Sequence, residues 1–379
     1  MTVQILTGDC RAVMRSMHSS SVDCVVTSPP YWGLRDYNVD GQIGLERTLG
    51  EHLDVMVDVF REIRRVLKSH GTLWLNYGDC YAAAPNGKSA AAYKADGTDD
   101  RTFRDKPFST VGPIYERGHS MTRGTRGDEW RTKAPMPPAG RIVAGGYLKP
   151  KDLCMIPNRL AIALQEDGWW IRSEIIWHKP NPMPESVHDR PTTAHEKVFL
   201  LTKGKDYFYD HEAIREPVTG GSHARKPGPN SRQKVDRVPR SRKFVDEANT
   251  MVKSKRSFAE ATADLTDTRN ARNVWSIAPK AFRGAHFATF PPALAERCIK
   301  AGTPRSVCAC CGAVSGCGPI CEAFGRKPGI VLDPFGGAGT VGLVAEKLKV
   351  DSILIELNAK YVAMSERRIH PQLPEGDAA

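Results

Sequence analysis

The sequence lacks the features that would place it in or across a membrane. A membrane-spanning helix needs roughly 18 or more consecutive apolar residues, and no apolar run among the 379 residues approaches that length. The N-terminal segment MTVQILTGDC also lacks the basic and then apolar layout of a secretory signal peptide. We therefore expect a cytoplasmic protein without membrane contact, and we exclude the secreted class.

Acidic residues are outnumbered by basic ones. Lys and Arg total 54 whereas Asp and Glu total 43, which leaves a formal net charge of +11. This excess favours an anionic partner, and nucleic acid is the first candidate. A basic protein without such a partner is the alternative that charge alone leaves open. Hydrophobic residues make up 40% of the chain, so a sizeable core can be buried.

A disulfide scaffold is excluded although the chain has ten cysteines, because such scaffolds belong to small secreted domains. Five of the ten crowd into the loop 308–321. The spacing of four of them suits the thiolate ligands of one structural zinc, with Cys310 left over; these four are Cys308, Cys311, Cys317 and Cys321. A reduced loop without metal is the alternative.

Predicted helices and strands alternate along much of the chain. Apolar patterning in residues 1–80 predicts strand, helix, strand, helix and strand, at Val3–Leu6, Cys10–Met17, Val22–Thr27, Glu51–Ser69 (closed by Gly71) and Thr72–Asn76. Further elements are predicted at Lys151–Asp167, Trp170–Trp177 and Lys197–Thr202, and again after Pro291. This alternation is typical of an α/β fold with a doubly wound parallel sheet.

Two irregular stretches, 81–146 and 210–272, interrupt the pattern. They leave ordered blocks at 1–80, 147–209 and 273–379. Both stretches are longer than an ordinary connection and contain many basic residues. Within the second, residues 225–243 include eight Lys or Arg against one Asp. That density suits contact with phosphates, and it also suits a solvated linker.

A glycine-rich turn between two short strands is the first motif that carries chemistry. Residues 329–356, GIVLDPFGGAGTVGLVAEKLKVDSILIE, form a predicted strand ending in Asp333, a glycine turn, a helix and a strand ending in Glu356. This is the layout of a nucleotide-binding βαβ unit, in which the second acid accepts hydrogen bonds from ribose hydroxyls. Gly337, Gly339 and Gly342 also satisfy G-x-G-x-x-G, so a nicotinamide-dependent oxidoreductase has to be weighed.

A second loop helps to choose between the enzyme classes that such a nucleotide-binding unit can serve. Residues 22–37, VDCVVTSPPYWGLRDY, read as a buried strand followed by Ser28, Pro29, Pro30 and Tyr31. The prolines fix the backbone and leave carbonyl oxygens free to accept hydrogen bonds. A planar ring can stack on Tyr31 while Ser28 Oγ and the Pro29 carbonyl accept from its amino group. An oxidoreductase leaves this loop unexplained.

Together the two loops resemble those of the beta group of amino-methylating DNA methyltransferases, which use S-adenosylmethionine. Ser-Pro-Pro-Tyr precedes Asp-Pro-Phe-Gly-Gly-Ala-Gly in the chain, which is the permuted order of that group, with the catalytic motif before the cofactor motif. The resemblance extends to GDC at Gly8–Cys10, IIWHKPNPMP at Ile175–Pro184, RPTTAHEKVFLLTK at Arg190–Lys203 and AHFATFPPAL at Ala285–Leu294. It implies a Rossmann-like methyltransferase sheet in which the Asp333 strand and the Ser28 strand are neighbours.

The resemblance also assigns residues to two sites. Ser28, Pro29, Pro30 and Tyr31 become the catalytic pocket for a flipped base. The residues implied for S-adenosylmethionine are Asp333, Pro334, Phe335, Gly337 and Gly339 on its methionine side, Glu356 at the ribose, Asp9 at the adenine end, and Thr289, Phe290 and Pro291 closing over it. The stretch 210–272 corresponds to the variable segment that recognises the target, and the insertion 81–146 is a second candidate for DNA contact.

The implied reaction is methyl transfer to an exocyclic amino group in double-stranded DNA, on a base flipped out of the helix. Cytosine C5 methylation is disfavoured because the chain has no Pro-Cys dipeptide. Within the resembling family, Ser before Pro-Pro-Tyr is commoner among cytosine-N4 enzymes, so we expect N4, with adenine N6 as the alternative. A methylase of RNA or protein and a non-catalytic DNA-binding protein on the same fold are more remote. The resemblance further implies a bacterial or phage-encoded restriction–modification protein, monomeric or homodimeric.

Overall fold

The computed structural model describes residues 2–34, 37, 39–46, 48–82, 148–149, 151–217, 268–280 and 290–371. The basic segment 225–243 and nearly all of the insertion 81–146 lie outside these residues. The chain divides into two units: Met1–Asp210 together with Arg272–Ala379, and His211–Ala271.

The described residues form twelve strands and seven α-helices. The strands are β1 (Val3–Thr7), β2 (Val22–Thr27), β3 (Leu67–Tyr77), β4 (Trp170–His178), β5 (His195–Thr202), β6 (Glu216–Pro217), β7 (Thr268–Arg269), β8 (Val274–Ser276), β9 (Val307–Cys308), β10 (Arg326–Lys327), β11 (Ile330–Asp333) and β12 (Asp351–Glu356). The helices are α1 (Cys10–Ser16), α2 (Leu49–Val66), α3 (Ile156–Glu166), α4 (Pro292–Gly302), α5 (Pro319–Glu322), α6 (Thr340–Leu348) and α7 (Ala359–Ile369).

An eight-stranded sheet forms the centre of the first unit, in the order β1-β12-β11-β2-β3-β5-β4-β8. The first five strands of that order run parallel, and β5 is antiparallel to both of its neighbours. Helix α2 leads from β2 to β3 in one direction, whereas α6 leads from β11 to β12 in the other. The sheet therefore has its switch point between β11 and β2, where α/β sheets bind ligands.

The predicted adjacency of the two motif strands is confirmed. Val331 and Leu332 of β11 pair with Cys24 and Val25 of β2, although the strands lie at opposite ends of the chain. The late strands β11 and β12 insert between β1 and β2. The permuted order thus gives one continuous run of five parallel strands within the sheet.

Helices cover both faces of the sheet, as a doubly wound fold requires. On one face, Val25 and Leu73 belong to the core formed with α1, α2 and α3. On the other, Gly302 at the end of α4 lies so close to Thr72 and Trp74 that an added Cβ would clash with both. The predicted doubly wound, Rossmann-like class is confirmed.

The predicted end of α2 is wrong. The helix begins with a capping box between Thr48 and Glu51 and ends at Val66, and β3 starts at Leu67 without an intervening turn. Gly71 therefore lies inside β3 rather than closing the helix. An added Cβ there would lie 2.9 Å from the Asp23 carbonyl oxygen of β2, so glycine allows a close approach of the two strands.

The second unit is described at 211–217 and 268–271. A 3₁₀ turn at Glu212–Ile214 leads into β6, which pairs antiparallel with β7. An ion pair between Arg269 and Glu216, 3.0 Å long, joins the two strands. Within the parts of the chain that the structure describes, no helix is long and apolar enough to cross a membrane.

Candidate active site

The two motif loops leave the sheet side by side, from the carboxyl ends of β2 and β11. Thr27, the last residue of β2, donates from Oγ1 to Asp333 Oδ1 at 2.8 Å. The Phe335 amide donates to the same oxygen at 3.1 Å. Burial raises the pKa of Asp333 to about 7 in spite of these two hydrogen bonds. The bond from Thr27 ties the Ser-Pro-Pro-Tyr loop directly to the glycine turn.

A cavity of about 380 Å³ opens between the loops, within the ordinary size range of small-ligand sites. The predicted site residues that line it are Asp9, Ser28, Pro29, Pro30, Tyr31, Phe290, Asp333, Pro334, Phe335, Gly337 and Glu356. One loop from each half of the chain thus contributes to a single cavity.

Two predicted cofactor residues lie outside the cavity lining, and a third is not among the described residues. Gly339 precedes α6 with a φ of 71°, and an added Cβ there would lie 2.8 Å from Ser365 Cβ. The structure therefore gives Gly339 a packing contact with α7, where the sequence predicted a cofactor contact. Pro291 caps α4 and is not part of the lining. Thr289 lies outside the described residues.

The backbone holds Glu356 in place at the end of β12. Its Oε2 accepts from the Gly337 amide and its Oε1 from the Asn358 amide, both at 2.8 Å. Burial raises the pKa of Glu356, and these amides oppose that shift. Each carboxylate oxygen can accept a further hydrogen bond. Glu356 is thus positioned to accept from two hydroxyl groups of a ligand.

Asp9 lies at the rim of the same cavity and caps α1. Its Oδ1 accepts from the amides of Arg11 at 3.0 Å and Ala12 at 3.1 Å, and its Oδ2 pairs with the Arg11 guanidinium at 3.0 Å. Partial burial acts to raise the pKa of Asp9, but the hydrogen bond from Arg11 leads a set of contacts that lower it overall. A fixed, ionised carboxylate therefore faces this end of the cavity.

Tyr31 is held by its ring and by its hydroxyl. The ring stacks on Tyr77 with centroids 4.7 Å apart, and the hydroxyl donates to Glu196 Oε2 at 2.7 Å. Glu196 also accepts from Asn76 Nδ2 at 3.1 Å and forms an ion pair with Lys179. Burial and the charge of Glu196 raise the pKa of Tyr31 well above its usual value, so the phenol remains a hydrogen-bond donor.

A second group of hydrogen bonds fixes the proline turn from behind. The Tyr77 hydroxyl donates to the Pro30 carbonyl at 3.2 Å and accepts from the Trp32 amide at 2.9 Å. His52 lies 2.8 Å from that hydroxyl through Nε2 and 2.8 Å from Glu46 Oε2 through Nδ1. Although burial acts to raise it, the bond to His52 keeps the pKa of Glu46 low. The backbone of the loop is therefore fixed before any ligand binds.

Comparison with known proteins decides the family. A family model described as DNA methylase, of the N6 and N4 type, matches residues 22–367. The chain belongs to this family of amino-methylating DNA methyltransferases. The predicted enzyme class is confirmed, and the oxidoreductase alternative is excluded.

Individual relatives of this methyltransferase match along most of their length. The type II methyltransferase M.SmaI of Serratia marcescens is 38% identical over 366 residues, which cover 97% of this chain and 90% of that protein. M.XycI of Xanthomonas campestris pv. cyanopsidis is 38% identical over 366 residues, covering 96% and 87%. Among solved structures, the PvuII DNA methyltransferase (cytosine-N4-specific) aligns with a TM-score of 0.53 at 16% identity, over 100% of this chain and 89% of its own, a likeness of fold.

Sequence reasoning assigned no role to the charged pair behind Tyr31 in this methyltransferase. Glu196 lies in the segment RPTTAHEKVFLLTK and Lys179 in IIWHKPNPMP; both segments carried the family resemblance without an assigned function. A charged residue at the end of a buried strand suggests a polar partner on a neighbouring strand, but the partner can be identified only when the strand order is known. Here β5 pairs with β3 so that Asn76 lies opposite Val198, which brings Glu196 next to Tyr31.

The four predicted metal ligands also come together, but in another part of the fold. The Sγ atoms of Cys308, Cys311, Cys317 and Cys321 all lie within 4.8 Å of one another. They belong to the segment that leads into the amino end of β11, whereas the cavity lies at the carboxyl end of that strand. The cluster is therefore separate from the methyltransferase site.

Proposed function

We propose that this DNA methyltransferase moves a methyl group from S-adenosylmethionine to the N4 atom of a cytosine flipped into the cavity beside Tyr31. The observation that carries the proposal is the hydrogen bond between Thr27 and Asp333, because it holds the amino-acceptor loop and the glycine turn at one cavity. When bound, S-adenosylmethionine supplies an electrophilic methyl group on a sulfonium centre. The protein has to bind and orient both reactants.

The β11 and β12 side of the cavity fits such a cofactor. Glu356 offers two backbone-held oxygens to the ribose hydroxyls, and Gly337, at a φ of 50°, lets the chain turn close to the ligand. Burial and the nearby charge of Glu356 both raise the pKa of Asp333. A cationic ligand would stabilise the ionised form of these two acids.

The Ser28 side fits an amino-bearing base. The exocyclic nitrogen is a poor nucleophile because its lone pair is delocalised into the ring. In this proposal Ser28 Oγ and the Pro29 carbonyl, which belong to residues lining the cavity, accept its two hydrogens, which favours pyramidal nitrogen and stabilises positive charge that develops on it. Tyr31 supplies a stacking surface whose position is fixed by Tyr77 and Glu196.

Two features support cytosine over adenine. Ser28 stands where N6-adenine enzymes of the resembling family more often have Asp or Asn. Lys179 also lines the cavity and carries several donor hydrogens. On the Watson–Crick edge cytosine presents two acceptors, N3 and O2, whereas adenine presents N1 alone. Lys179 therefore suits the cytosine edge better.

Incubation with tritiated S-adenosylmethionine and unmethylated genomic DNA, followed by nucleoside analysis, tests the proposal. The expected product is N4-methylcytosine. Labelled N6-methyladenine would overturn the choice of base and leave the reaction class intact. A folded protein that binds the cofactor but transfers no label to DNA would overturn the proposed function.

The pKa of Asp333 predicts how the affinity for the cofactor depends on pH, and the variant Asp333→Asn tests this prediction. Because the pKa of Asp333 is about 7 in the free protein, a cationic cofactor should displace its proton near neutrality. Affinity of the wild type should therefore rise between about pH 6 and pH 8. Asparagine keeps an acceptor for Thr27 and Phe335, so the variant should bind more weakly and without that pH dependence. Calorimetry in two buffers of different ionisation enthalpy measures the number of protons released on cofactor binding. Equal numbers for the wild type and for Asp333→Asn would contradict the prediction.

The same residue should affect stability with a defined sign. The folded pKa of Asp333, about 7, lies above its ordinary value of 3.8. The contribution of this raised pKa to the free energy of unfolding is therefore fully present below about pH 4 and is lost as the pH rises through about 7. The free energy of unfolding of the wild type should fall over that interval relative to Asp333→Asn, as measured by urea denaturation of the cofactor-free proteins.

We further propose that the stretch 210–272 recognises the DNA target, with the basic residues 225–243 contacting phosphates. A monomer or homodimer in the bacterial cytoplasm is the setting that this proposal assumes. Each phosphate contact adds about 0.9 to the slope of log affinity against log salt. Replacing Arg237, Arg240, Arg242 and Lys243 by Gln should therefore reduce that slope by up to about 4, without changing cofactor affinity. An unchanged slope in a DNA titration would remove the segment from the interface.

A further inference from the structure

The cysteine cluster belongs to a small substructure between α4 and β11. In it, β9 and β10 pair antiparallel, with Cys308 opposite Arg326 and Val307 opposite Lys327. The short helix α5 carries Cys321. The proposed methyl transfer uses none of these residues, so the cluster needs its own explanation.

This substructure has almost no apolar core. Between residues 305 and 328 only Val307 and Cys308 are buried, whereas the side chains of Ile320 and Phe324 are 80% and 61% exposed. A unit that buries so little apolar surface needs a cross-link, either disulfides or a metal ion, to keep one conformation. The four converging cysteines are the groups that can provide it.

The sulfur positions fit a single ion. All four Sγ atoms lie within 4.8 Å of one another, and those of Cys311 and Cys317 are 3.5 Å apart. A tetrahedral zinc with Zn–S bonds of about 2.3 Å places its sulfurs about 3.8 Å apart. The cluster therefore needs to contract by about 1 Å at its longest edge to hold the ion.

The turn at the first two cysteines is shaped to stabilise a thiolate. The amides of Cys311 and Cys310 both donate to Cys308 Sγ, and the Gly312 amide donates to the Cys308 carbonyl at 3.0 Å. Gly312 has a φ of 73°, which glycine adopts without strain. The thiolate is the form that binds metals.

We propose that Cys308, Cys311, Cys317 and Cys321 bind one Zn²⁺ ion in a closed, structural site. Four protein thiolates fill the tetrahedral coordination of zinc and leave no open position for a substrate or water. The ion would therefore hold the substructure together and take no part in methyl transfer.

The position of the cluster indicates what the ion stabilises. An added Cβ at Gly312 would lie 3.3 Å from Lys68 Nζ, and Lys68 pairs with the buried Asp23 at 2.7 Å. Asp23 also accepts from the Ile330 amide at 2.9 Å, at the start of β11. The substructure that carries the cysteine cluster thus lies against the polar contacts that fix the amino end of β11, the strand that ends in Asp333.

Metal analysis of the full chain tests the proposal, after purification under reducing conditions without chelator. We expect about one zinc per chain, and less than about a tenth of that in Cys311→Ser and Cys317→Ser. The matched control is Cys310→Ser: Cys310 is exposed, adjacent to Cys311 and not one of the four converging cysteines, so this variant should retain zinc. Absence of metal from the wild type, even after zinc addition, would overturn the proposal, as would iron in place of zinc.

A second measurement needs no variant and so does not depend on how one folds. Cys310 and Cys311 are both exposed, so in native wild-type protein an alkylating reagent distinguishes them only if one is bound. Peptide mass spectrometry should find Cys310 modified and Cys311 protected, with protection lost on adding a chelator. Equal modification of the two in freshly purified protein, or disulfides within the cluster, would show that no zinc is held there.

Discussion

Replacing Glu356 by Ala should weaken S-adenosylmethionine binding by about 10²- to 10⁴-fold. Hydrogen bonds to a charged acceptor contribute about 1.5–3 kcal/mol each, and Glu356 is placed to accept two from the ribose. The sum of about 3–6 kcal/mol corresponds to that range at 1.4 kcal/mol per tenfold change. Isothermal titration calorimetry with the purified variant measures the loss directly.

Two further variants separate recognition from folding. In Glu356→Ala the amides of Gly337 and Asn358 lose their acceptor, so thermal unfolding must be recorded alongside binding. Glu356→Gln keeps the size and one acceptor oxygen and should bind with intermediate affinity. Glu166→Ala removes an exposed acid at the end of α3, away from the cavity lining, and should bind normally. Wild-type affinity in a folded Glu356→Ala protein would remove the ribose assignment.

The parts of the fold that depend on local pattern were predictable. The strand Val22–Thr27 was predicted with its observed bounds, because a short segment that is apolar at four of its six positions is typical of a central parallel strand. The end of α2 was not, since the apolar period runs through Val66 and Leu67 without a break. A glycine at position 71 looks like a helix stop in the sequence, whereas in the structure an added Cβ would meet the Leu67 side chain and the Asp23 carbonyl oxygen, and the second of these is a tertiary contact.

The site was predictable where a single segment carries both the residue and its position. Ser28 and Asp333 follow directly from the ends of buried strands, and both line the cavity. Glu196 lies 165 positions from Tyr31, and their 2.7 Å hydrogen bond exists because β5 enters the sheet antiparallel beside β3. Gly339 satisfies the glycine pattern, yet its neighbour Ser365 belongs to α7. Pairings between distant segments are what a single sequence did not specify.

Replacing Tyr31 by Ala should lower methyl transfer by at least about 5- to 150-fold. Stacking of a base on an aromatic ring contributes about 1–3 kcal/mol, and the target nitrogen would also lose its alignment with the methyl group. The side chain can be removed without leaving an isolated buried charge, because Glu196 keeps its ion pair with Lys179. Cofactor affinity and duplex affinity should therefore change little in the same protein.

Tyr31→Phe then distinguishes the ring from the hydroxyl. Phenylalanine keeps the stacking surface and the contact with Tyr77 but loses the donor to Glu196. If the ring holds the base, this variant should keep most of the transfer rate that Tyr31→Ala loses. Tyr207→Ala, which removes a tyrosine that contacts Arg172 and is not part of the cavity lining, should transfer at the wild-type rate. Single-turnover assays with labelled cofactor compare the three variants. Equal losses of transfer rate in Tyr31→Ala and Tyr31→Phe would assign the role to the hydroxyl group and not to the ring. A wild-type rate in Tyr31→Ala would mean that the target base is not held on this loop.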